Sequence, residues 1–335
     1  MNTVTVRASR QYDILIGQGL LPTLGAEAKK LGKAQKVCVI SETTVYPLYG
    51  AVAEESLKSA GFSVVSYVFP AGEESKNGQV FLDLLNFLAE NQLTRSDMIV
   101  ALGGGVVGDL AGFAAASYLR GIRFIQVPTT LLAAVDSSVG GKTGVDLPMG
   151  KNLCGAFHQP ILVLIDPQVL RTLPDVFFSD GMGEVIKYGC ICSAELFALL
   201  EQASAKDRIH EIIYACVDMK RVVVEHDEKE AGERALLNFG HTAGHAIEKL
   251  WNYQTVTHGA AVGIGMVLAA RAGEGAGLTE PGTADRIAAL LQKYNLPVAD
   301  THSIDAIVDA MQADKKRTAD GMKLCLLYTS DAADD

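Results

Sequence analysis

The chain has 335 residues, of which 49% are hydrophobic, and its 29 basic and 39 acidic residues give a formal net charge of −10 at pH 7. This length exceeds what one simple core supports, so two domains are expected, and the apolar content is ample for burial. The acidic balance argues against nucleic acid and anionic membrane surfaces as main partners.

The cysteines and the N-terminus indicate a cytoplasmic location. Six cysteines are scattered through apolar segments without the spacing of a disulfide framework, as expected in a reducing compartment. Residues 1–6 alternate like a strand and lack the basic start and apolar core of a signal peptide. No apolar run reaches the length of a membrane span.

The first half of the chain has the pattern of strands alternating with helices. Strands separated by helices imply a mostly parallel sheet that is covered on both faces. Short β-branched apolar runs predict strands at residues 37–41, 63–69, 98–102, 124–127 and 161–165, and helical periodicity predicts helices at residues 45–60 and 79–91.

The pattern changes after about Asp175, where strand-like runs nearly vanish. Pro174 suits a boundary, so we expect an α/β domain over residues 1–174 and an all-helical domain over residues 175–324. Helices are predicted at residues 177–200, 209–224, 236–251, 259–276 and 283–294.

A glycine-rich turn follows the strand predicted at residues 98–102. Its sequence, Gly-Gly-Gly-Val-Val-Gly-Asp at residues 103–109, precedes an alanine-rich helical run. Such a turn exposes backbone N–H groups that suit a pyrophosphate, although the pattern is not Gly-x-Gly-x-x-Gly and a tight structural turn is the alternative. A second glycine pair, before Lys142, lacks the upstream glycine of a Walker A loop because Asp136 stands there, so an ATPase is not expected.

A histidine pair dominates the second half. His241 and His245 are four residues apart and fall on one face of a helix, so with Glu248 they can converge on one point. This spacing favours a zinc-like site with His241 as first-choice ligand and a carboxylate from elsewhere in the chain. Satisfied core histidines are the alternative, which a third histidine nearby, His258, makes weaker.

Basic residues are few but gather beside small or polar residues. Brought together by folding, they would form a pocket for a doubly charged substrate such as a phosphorylated acid. Taken singly, each is better explained as a solvated surface residue. The residues are Lys142, Lys151, Lys187, Lys220, Arg234, Lys315 and Lys316.

These motifs together resemble the 3-dehydroquinate synthase family, and they follow the family's order over nearly the whole chain, from about Cys38 to Lys316. So long an ordered set is far more specific than any one motif. The matching segments are residues 70–76, 103–109, 127–132, 135–143, 150–152, 181–189, 237–248 and 258–259.

The resemblance implies a fold and a reaction. We expect a Rossmann-like, NAD-binding α/β domain, an all-helical metal-binding domain and an active site between them. The family converts 3-deoxy-D-arabino-heptulosonate 7-phosphate to 3-dehydroquinate and phosphate in the shikimate pathway, and NAD is regenerated in each turnover. The expected partner is therefore a small phosphorylated sugar acid.

The resemblance also assigns the metal ligands. A zinc or cobalt ion is expected on Glu184, His241 and His258. This assignment replaces the spacing argument for His245, which becomes an acid/base and substrate-contact group. The catalytic candidates are His245, Glu230, Lys142 and Asp136.

Family positions also imply the residues that contact substrate and those that contact NAD. Arg120 matches an arginine that reaches the neighbouring subunit's site, so a homodimer is expected. Substrate contacts are expected from Asp136, Lys142, Asn152, Lys187, Lys220, Arg234, Asn238, His245, Lys315, Lys316 and Arg120. NAD contacts are expected from Glu42, Glu73, Lys76, Gly104, Gly105, Asp109, Thr129, Thr130, Lys142, Lys151 and Thr172.

The chain departs from the family pattern at a few positions. Glu42 and Thr44 stand where aspartate and asparagine are frequent, and Gly183 replaces a common alanine. Ala260 replaces a glutamate that usually follows His258-Gly259, so support for a metal ligand is expected to be weaker there.

Three alternative functions share some of these features. A related sugar-phosphate cyclase such as 2-deoxy-scyllo-inosose synthase would differ mainly in lacking a pocket for the substrate carboxylate. A metal-dependent glycerol or alcohol dehydrogenase would release NADH, and a neutral polyol does not need so many cations. A non-catalytic NAD-binding role is the remaining alternative.

The last segment, residues 325–335, resembles translated sequencing-adaptor sequence rather than a family C-terminus. We therefore expect these residues to be non-native and residues 331–335 to make no stable packing contacts. A genuine acidic tail is the alternative.

Overall fold

The computed structural model describes residues 1–312 and 324–327. The chain forms two compact units, one of Met1–Leu173 with Ile213–Lys229 and one of Pro174–Ile212 with Glu230–Asp335. Lys315, Lys316 and residues 328–335 lie outside the described residues, so the predictions made for them stay predictions. Within the described part of the chain, no helix combines the length and the apolarity needed to cross a membrane.

The first unit is built on a seven-stranded sheet in the order β1-β2-β9-β6-β5-β3-β4. Only β1 runs antiparallel to its neighbour, so the predicted mostly parallel sheet is confirmed. The strands of this unit are β1 Asn2–Arg7, β2 Gln11–Ile16, β3 Lys36–Glu42, β4 Ser63–Phe69, β5 Met98–Gly103, β6 Arg123–Pro128, β7 Lys142–Leu147, β8 Gly150–Phe157 and β9 Leu162–Ile165.

Helices cover both faces of this sheet. Because strand side chains alternate between faces, Val39 and Val100 pack with residues of α1 and α2, while Ile40 and Ile99 pack with residues of α3 and α4. The predicted two-sided burial is therefore confirmed. The four helices are α1 Leu24–Lys30, α2 Tyr46–Ser59, α3 Gly78–Glu90 and α4 Gly105–Ser117.

The hairpin of β7 and β8 was not predicted. Its strands pair antiparallel in a separate two-stranded sheet, and Gly144 faces Gly155 across the pair. A side chain at Gly155 would place Cβ 2.1 Å from the Thr143 carbonyl oxygen, so the two backbones need glycine to approach this closely. The hairpin matters because it carries Lys142, Lys151 and Asn152, three of the candidate site residues.

The second unit is helical, and the described chain between Pro174 and Gln312 contains no strand. Helix α7 crosses the boundary, with its first four residues in the second unit and the rest in the first. The helices from this point on are α5 Asp175–Ile191, α6 Ala194–Gln202, α7 Ile209–His226, α8 His241–Leu250, α9 His258–Gly275, α10 Thr283–Lys293 and α11 Ile304–Gln312.

Two helix predictions were wrong in their limits. Residues 177–200 do not form one helix, because α5 ends at Ile191 and the Ser193 hydroxyl accepts a hydrogen bond from Leu196 N at 3.1 Å to start α6. Residues 236–251 do not form one helix either. A 3-10 turn at Glu233–Asn238 comes first. Gly240 then adopts a left-handed φ of +79°, so α8 begins only at His241. Helix α11 was not predicted.

Small residues let α8 and α9 approach closely. A Cβ on Gly265 would lie 2.0 Å from the Gly240 carbonyl oxygen, and one on Gly244 would lie 3.1 Å from Val262 Cα. The first residue of each helix is a histidine, His241 in α8 and His258 in α9. The close crossing is what brings these imidazoles near each other.

Candidate active site

Three side chains from three helices of the second unit converge on one point. Glu184 Oε1 lies 3.4 Å from His241 Nε2 and 3.5 Å from His258 Nε2. All three ligand atoms lie within 4.8 Å of one another. Two ligands of one tetrahedral zinc ion, each at about 2.0–2.1 Å, are about 3.4 Å apart. The separations therefore fit a shared metal ion. Residue spacing alone does not place Glu184 beside His241, and only the family resemblance named it as a ligand.

The backbones of α5 and α9 touch where these ligands are carried. Asp180 Oδ1 accepts a hydrogen bond from Gly259 N at 2.6 Å, and it thereby caps the start of α9. A Cβ on Gly259 would lie 1.9 Å from the Asp180 carbonyl oxygen, and one on Gly183 would lie 2.6 Å from the Gly259 carbonyl oxygen. Asp180 was missed in the sequence because the helix it caps begins 78 positions later, at His258.

The environment of His241 suits a metal ligand. Its Nδ1 lies 3.2 Å from the Phe239 carbonyl oxygen, a pairing that places the proton on Nδ1 and leaves the Nε2 lone pair towards Glu184. Burial lowers the pKa of His241 well below its usual value. The ring is therefore neutral at neutral pH, as coordination requires.

His258 has carboxylates on both sides of its ring. Partial burial acts to lower its pKa, but hydrogen bonding to Glu184 and Glu248 outweighs this and raises the pKa well above its usual value. Two carboxylates thus flank this one ring. A divalent cation is the kind of ligand that such a set of groups attracts.

Lys187 pairs with Glu184 one turn away on α5. Both side chains are 1% exposed, so the charge of each is compensated inside the unit. The ammonium group also lies 5.1 Å from the centre of the Tyr188 ring. A buried cation therefore lies next to a candidate metal ligand.

The spacing-based convergence of His241, His245 and Glu248 was wrong. Among the described residues, Glu248 instead groups with His245 and His258, with ligand atoms within 4.8 Å of one another. The reason is that Glu248 lies two turns beyond His241, and the ring of His258 stands beside it at 3.5 Å. His245 remains near both rings, at 5.6 Å from His241 and 6.2 Å from His258 between ring centres.

Lys76 is the centre of a polar network in the first unit. Its ammonium group donates to Asp109 Oδ2 and to Asn152 Oδ1, both at 2.6 Å, and lies 3.9 Å from Glu73 Oε1. Burial acts to lower the pKa of Lys76, but the charge of Asp109 outweighs it and raises that pKa. The Lys151 ammonium group also lies 3.9 Å from Glu73 Oε1. The structure thus joins four predicted NAD contacts and one predicted substrate contact.

The glycine-rich turn forms as predicted, with β5 ending at Gly103 and α4 beginning at Gly105. Thr129 N donates to the Gly103 carbonyl oxygen at 2.9 Å. A Cβ on Gly104 would lie 2.9 Å from the Thr130 side chain. The buried Thr129 hydroxyl has no hydrogen-bond partner among the described residues. The turn therefore offers a helix start and a polar group suited to a phosphate-bearing cofactor.

Known proteins match this chain over most of its length. Residues 66–180 match the family profile described as 3-dehydroquinate synthase N-terminal, and residues 181–317 match the one described as 3-dehydroquinate synthase C-terminal. A 3-dehydroquinate synthase of Clostridium botulinum is 48% identical over 323 residues, covering 95% of this chain and 92% of that protein. One of Nostoc sp. is 50% identical over 318 residues, covering 92% and 88%.

The chain belongs to the 3-dehydroquinate synthase family. The resemblance seen in the sequence is confirmed, and so is its fold class. Among solved structures, a 2-deoxy-scyllo-inosose synthase complexed with carbaglucose-6-phosphate, NAD+ and Co2+ is 29% identical with a TM-score of 0.86, covering 97% of this chain and 92% of that one. A 2-epi-5-epi-valiolone synthase from Streptomyces hygroscopicus with NAD+ and Zn2+ bound is 27% identical with a TM-score of 0.81, covering 92% and 87%.

More distant structures share the fold alone. A glycerol dehydrogenase from Schizosaccharomyces pombe is 16% identical with a TM-score of 0.64, covering 89% of this chain and 81% of that one. The dehydrogenase alternative therefore draws no support from this likeness beyond architecture.

Two further pairs lie where family positions predict substrate contacts. In the first unit, Lys220 of α7 lies 3.0 Å from Asp136 Oδ1 and donates to the Asp136 carbonyl oxygen at 2.7 Å. In the second unit, Asn238 Nδ2 donates to Glu230 Oε1 at 2.8 Å, and Arg234 between them is 1% exposed. In each pair, one residue is a predicted substrate contact, Lys220 or Asn238, and the other is a predicted catalytic group, Asp136 or Glu230.

Four other predicted contacts lie in the first unit. Glu42 accepts hydrogen bonds from Thr44 N and Val45 N, so its carboxylate shapes the turn before α2. The Thr172 hydroxyl pairs with Tyr49 Oη. Arg120 is exposed with a φ of +65°, and Lys142 is exposed at the start of β7. Their family roles stay predictions.

Proposed function

We propose that the protein converts 3-deoxy-D-arabino-heptulosonate 7-phosphate to 3-dehydroquinate and phosphate, with NAD recycled in each turnover. The observation that carries this proposal is the convergence of Glu184, His241 and His258 on one point in a chain of this family. These three residues would hold a zinc or cobalt ion. The 48% identity to named synthases over 95% of the chain supports the choice of substrate.

The two cofactors would supply chemistry that side chains cannot. When bound, NAD+ would take a hydride from the substrate and return it, and the metal ion would polarise the oxygen at the oxidised carbon. Oxidation makes the neighbouring C–H acidic, phosphate leaves by β-elimination, and the ring opens and closes after the ketone is reduced. The side chains must bind the anionic ends and move protons.

Buried cations are suited to hold those anionic ends. Lys187 and Arg234 are each 1% exposed in the second unit, and Lys220 is similarly buried in the first. Charge-assisted hydrogen bonds to a carboxylate or phosphate are stronger than neutral ones, and a buried cation loses little side-chain freedom when it makes them. We assign these residues to substrate binding, with Asn152 and Asn238, and with Lys142 as a contact and catalytic group.

His245 is our candidate for proton transfer. It follows His241 by one turn of α8, and its ring centre lies 6.2 Å from that of His258. A histidine at this distance from the candidate ligands can reach a substrate oxygen or carbon without coordinating. Glu230, hydrogen-bonded to Asn238, is the second acid/base candidate, and Asp136 is the third.

The NAD site would use the first unit. The start of α4 and the Thr129 hydroxyl suit the phosphates, and the Lys76 network supplies cationic and polar groups beside them. We also propose that the protein is a cytoplasmic homodimer in which Arg120 completes the neighbouring subunit's site.

The competing function is that of another sugar-phosphate cyclase, because a 2-deoxy-scyllo-inosose synthase shares the fold with a TM-score of 0.86. Parallel assays with the heptulosonate phosphate and with glucose 6-phosphate separate the two. We expect phosphate release from the first substrate alone. Release from glucose 6-phosphate with none from the heptulosonate would contradict the proposal.

A further inference from the structure

Glu248 is a buried carboxylate that the proposed chemistry does not use. It lies on α8 and is 2% exposed. Its Oε2 lies 3.5 Å from Nδ1 of His258, at the outer limit of hydrogen bonding. A buried carboxylate needs polar or charged neighbours, and the His258 imidazole is one of them.

The two nitrogens of His258 face two different carboxylates. Nε2 lies 3.5 Å from Glu184 Oε1, on the side of the candidate metal ion, and Nδ1 lies 3.5 Å from Glu248 Oε2. A neutral imidazole has one N–H donor and one lone pair. When a metal ion takes the place of the proton on Nε2, a carboxylate at Nδ1 holds the remaining proton there and fixes the plane of the ring.

The two candidate histidine ligands are oriented by different groups. His241 Nδ1 lies beside the Phe239 carbonyl oxygen, a backbone group that substitution cannot remove. His258 Nδ1 lies beside a side-chain carboxylate, which substitution can remove. The asymmetry makes the contribution of Glu248 measurable.

We propose that Glu248 is a positioning residue that orients His258 and raises the affinity of the site for a divalent metal ion. This inference rests on the metal site of the proposed function. Such partners of metal-bound histidines typically contribute about 10–100-fold in metal affinity.

The test uses full-length protein stripped of metal and titrated with Co2+ and with Zn2+. Glu248→Ala should bind each ion about 10–100-fold more weakly than wild type. Glu248→Gln keeps an acceptor oxygen and the side-chain shape, so it should lose less. The visible spectrum of the Co2+ form should change in Glu248→Ala, because a ring free to rotate alters the coordination geometry.

Ile247→Val is the matched control. Ile247 is the fully buried neighbour on the same helix, and its substitution loosens packing without removing a polar group near His258. It should leave metal affinity and the Co2+ spectrum unchanged. Glu248→Gln tests the proposal if Glu248→Ala does not fold.

Wild-type affinity in both Glu248 variants would overturn the proposal. An equal loss in Ile247→Val would do the same, since the effect would then be one of packing. Two Co2+ ions per chain would also overturn it, because Glu248 would then be a ligand in the group with His245. Wild-type protein that holds metal but releases no phosphate would contradict the proposed reaction, while the affinities would still decide the role of Glu248.

Discussion

The ammonium group of Lys76 donates to the Asp109 carboxylate at 2.6 Å inside the first unit, and both side chains are largely shielded from water. Breaking a buried pair by removing one partner typically costs about 3–5 kcal/mol, because the other charge stays buried. We expect Lys76→Met to lower the free energy of unfolding by about this amount and to weaken NAD binding. Denaturant unfolding and calorimetric titration with NAD measure the two effects.

The double variant Lys76→Met/Asp109→Asn separates stability from binding. It should recover most of the lost stability, since no unpaired charge remains, but it should not recover NAD affinity. Normal NAD affinity in either variant would show that this network is structural only.

Lys187→Ala and Arg234→Ala should impair substrate handling and leave NAD binding largely intact. Loss of a charge-assisted contact typically costs about 1.5–3 kcal/mol. KM for the heptulosonate phosphate should rise accordingly, while Kd for NAD stays near that of wild type. Lys206→Ala is the control, because its side chain is 63% exposed. An equal loss of NAD affinity in the two buried variants would contradict the assignment.

Gly265→Ala should force α8 and α9 apart. Its Cβ would lie 2.0 Å from the Gly240 carbonyl oxygen, and overpacking of this kind typically costs about 1–3 kcal/mol. Metal affinity should fall with stability, since the two helices carry His241 and His258.

Gly275→Ala is the control on the same helix, because nothing lies within 4 Å of the added Cβ. It should be neutral or slightly stabilising. Equal melting temperatures for the two alanine variants would show that the close crossing of α8 and α9 is not needed.

Much of the first unit could be predicted because its central strands, β3, β5, β6 and β9, are buried on both faces and bounded by turns. The limits of β4 coincide with the prediction, Ser63–Phe69. The β7–β8 hairpin was missed because its residues are polar, glycine-rich and partly exposed, and therefore lack an apolar period. In the second unit, the breaks at Ser193 and Gly240 are local capping events that helical periodicity does not register.

The candidate site was less accessible to sequence reasoning than the fold. The spacing of His241 and His245 indicated a metal site, but only the family resemblance pointed to Glu184. The contact of Asp180 with Gly259 joins residues far apart in the chain, and that of Glu248 with His258 joins residues on two different helices. They depend on how three helices pack, which no local pattern encodes.

Asp97 should make the first unit sensitive to acid. Burial acts to raise its pKa, but hydrogen bonds from Thr94, Lys36 and Gln35 outweigh this and lower it. A carboxylate with a lowered pKa stabilises the fold above its unfolded pKa of about 3.9, and this stabilisation is lost as pH falls through the folded value. Urea unfolding between pH 6 and pH 3 should therefore show a smaller loss of stability in Asp97→Asn than in wild type. Parallel curves for the two proteins would contradict this.

The proposed homodimer can be tested by subunit mixing. Arg120→Ala and His245→Ala should each be nearly inactive alone. In a mixed dimer, the subunit with Arg120→Ala keeps its own histidine and receives Arg120 from its partner, so one site is complete. Activity should return when the two variants are unfolded and refolded together. No recovery, with mixed dimers shown to form, would contradict a role for Arg120 across the interface.

The most direct test of the account is to follow phosphate and NADH together during turnover of 3-deoxy-D-arabino-heptulosonate 7-phosphate, with NAD present only in an amount equal to the enzyme and Zn2+ or Co2+ supplied. We predict many phosphates released per NAD, no accumulation of NADH at 340 nm, and loss of this activity in Glu184→Gln. Release of one NADH per substrate consumed, or no phosphate release by metal-loaded wild-type protein, would contradict the proposed function.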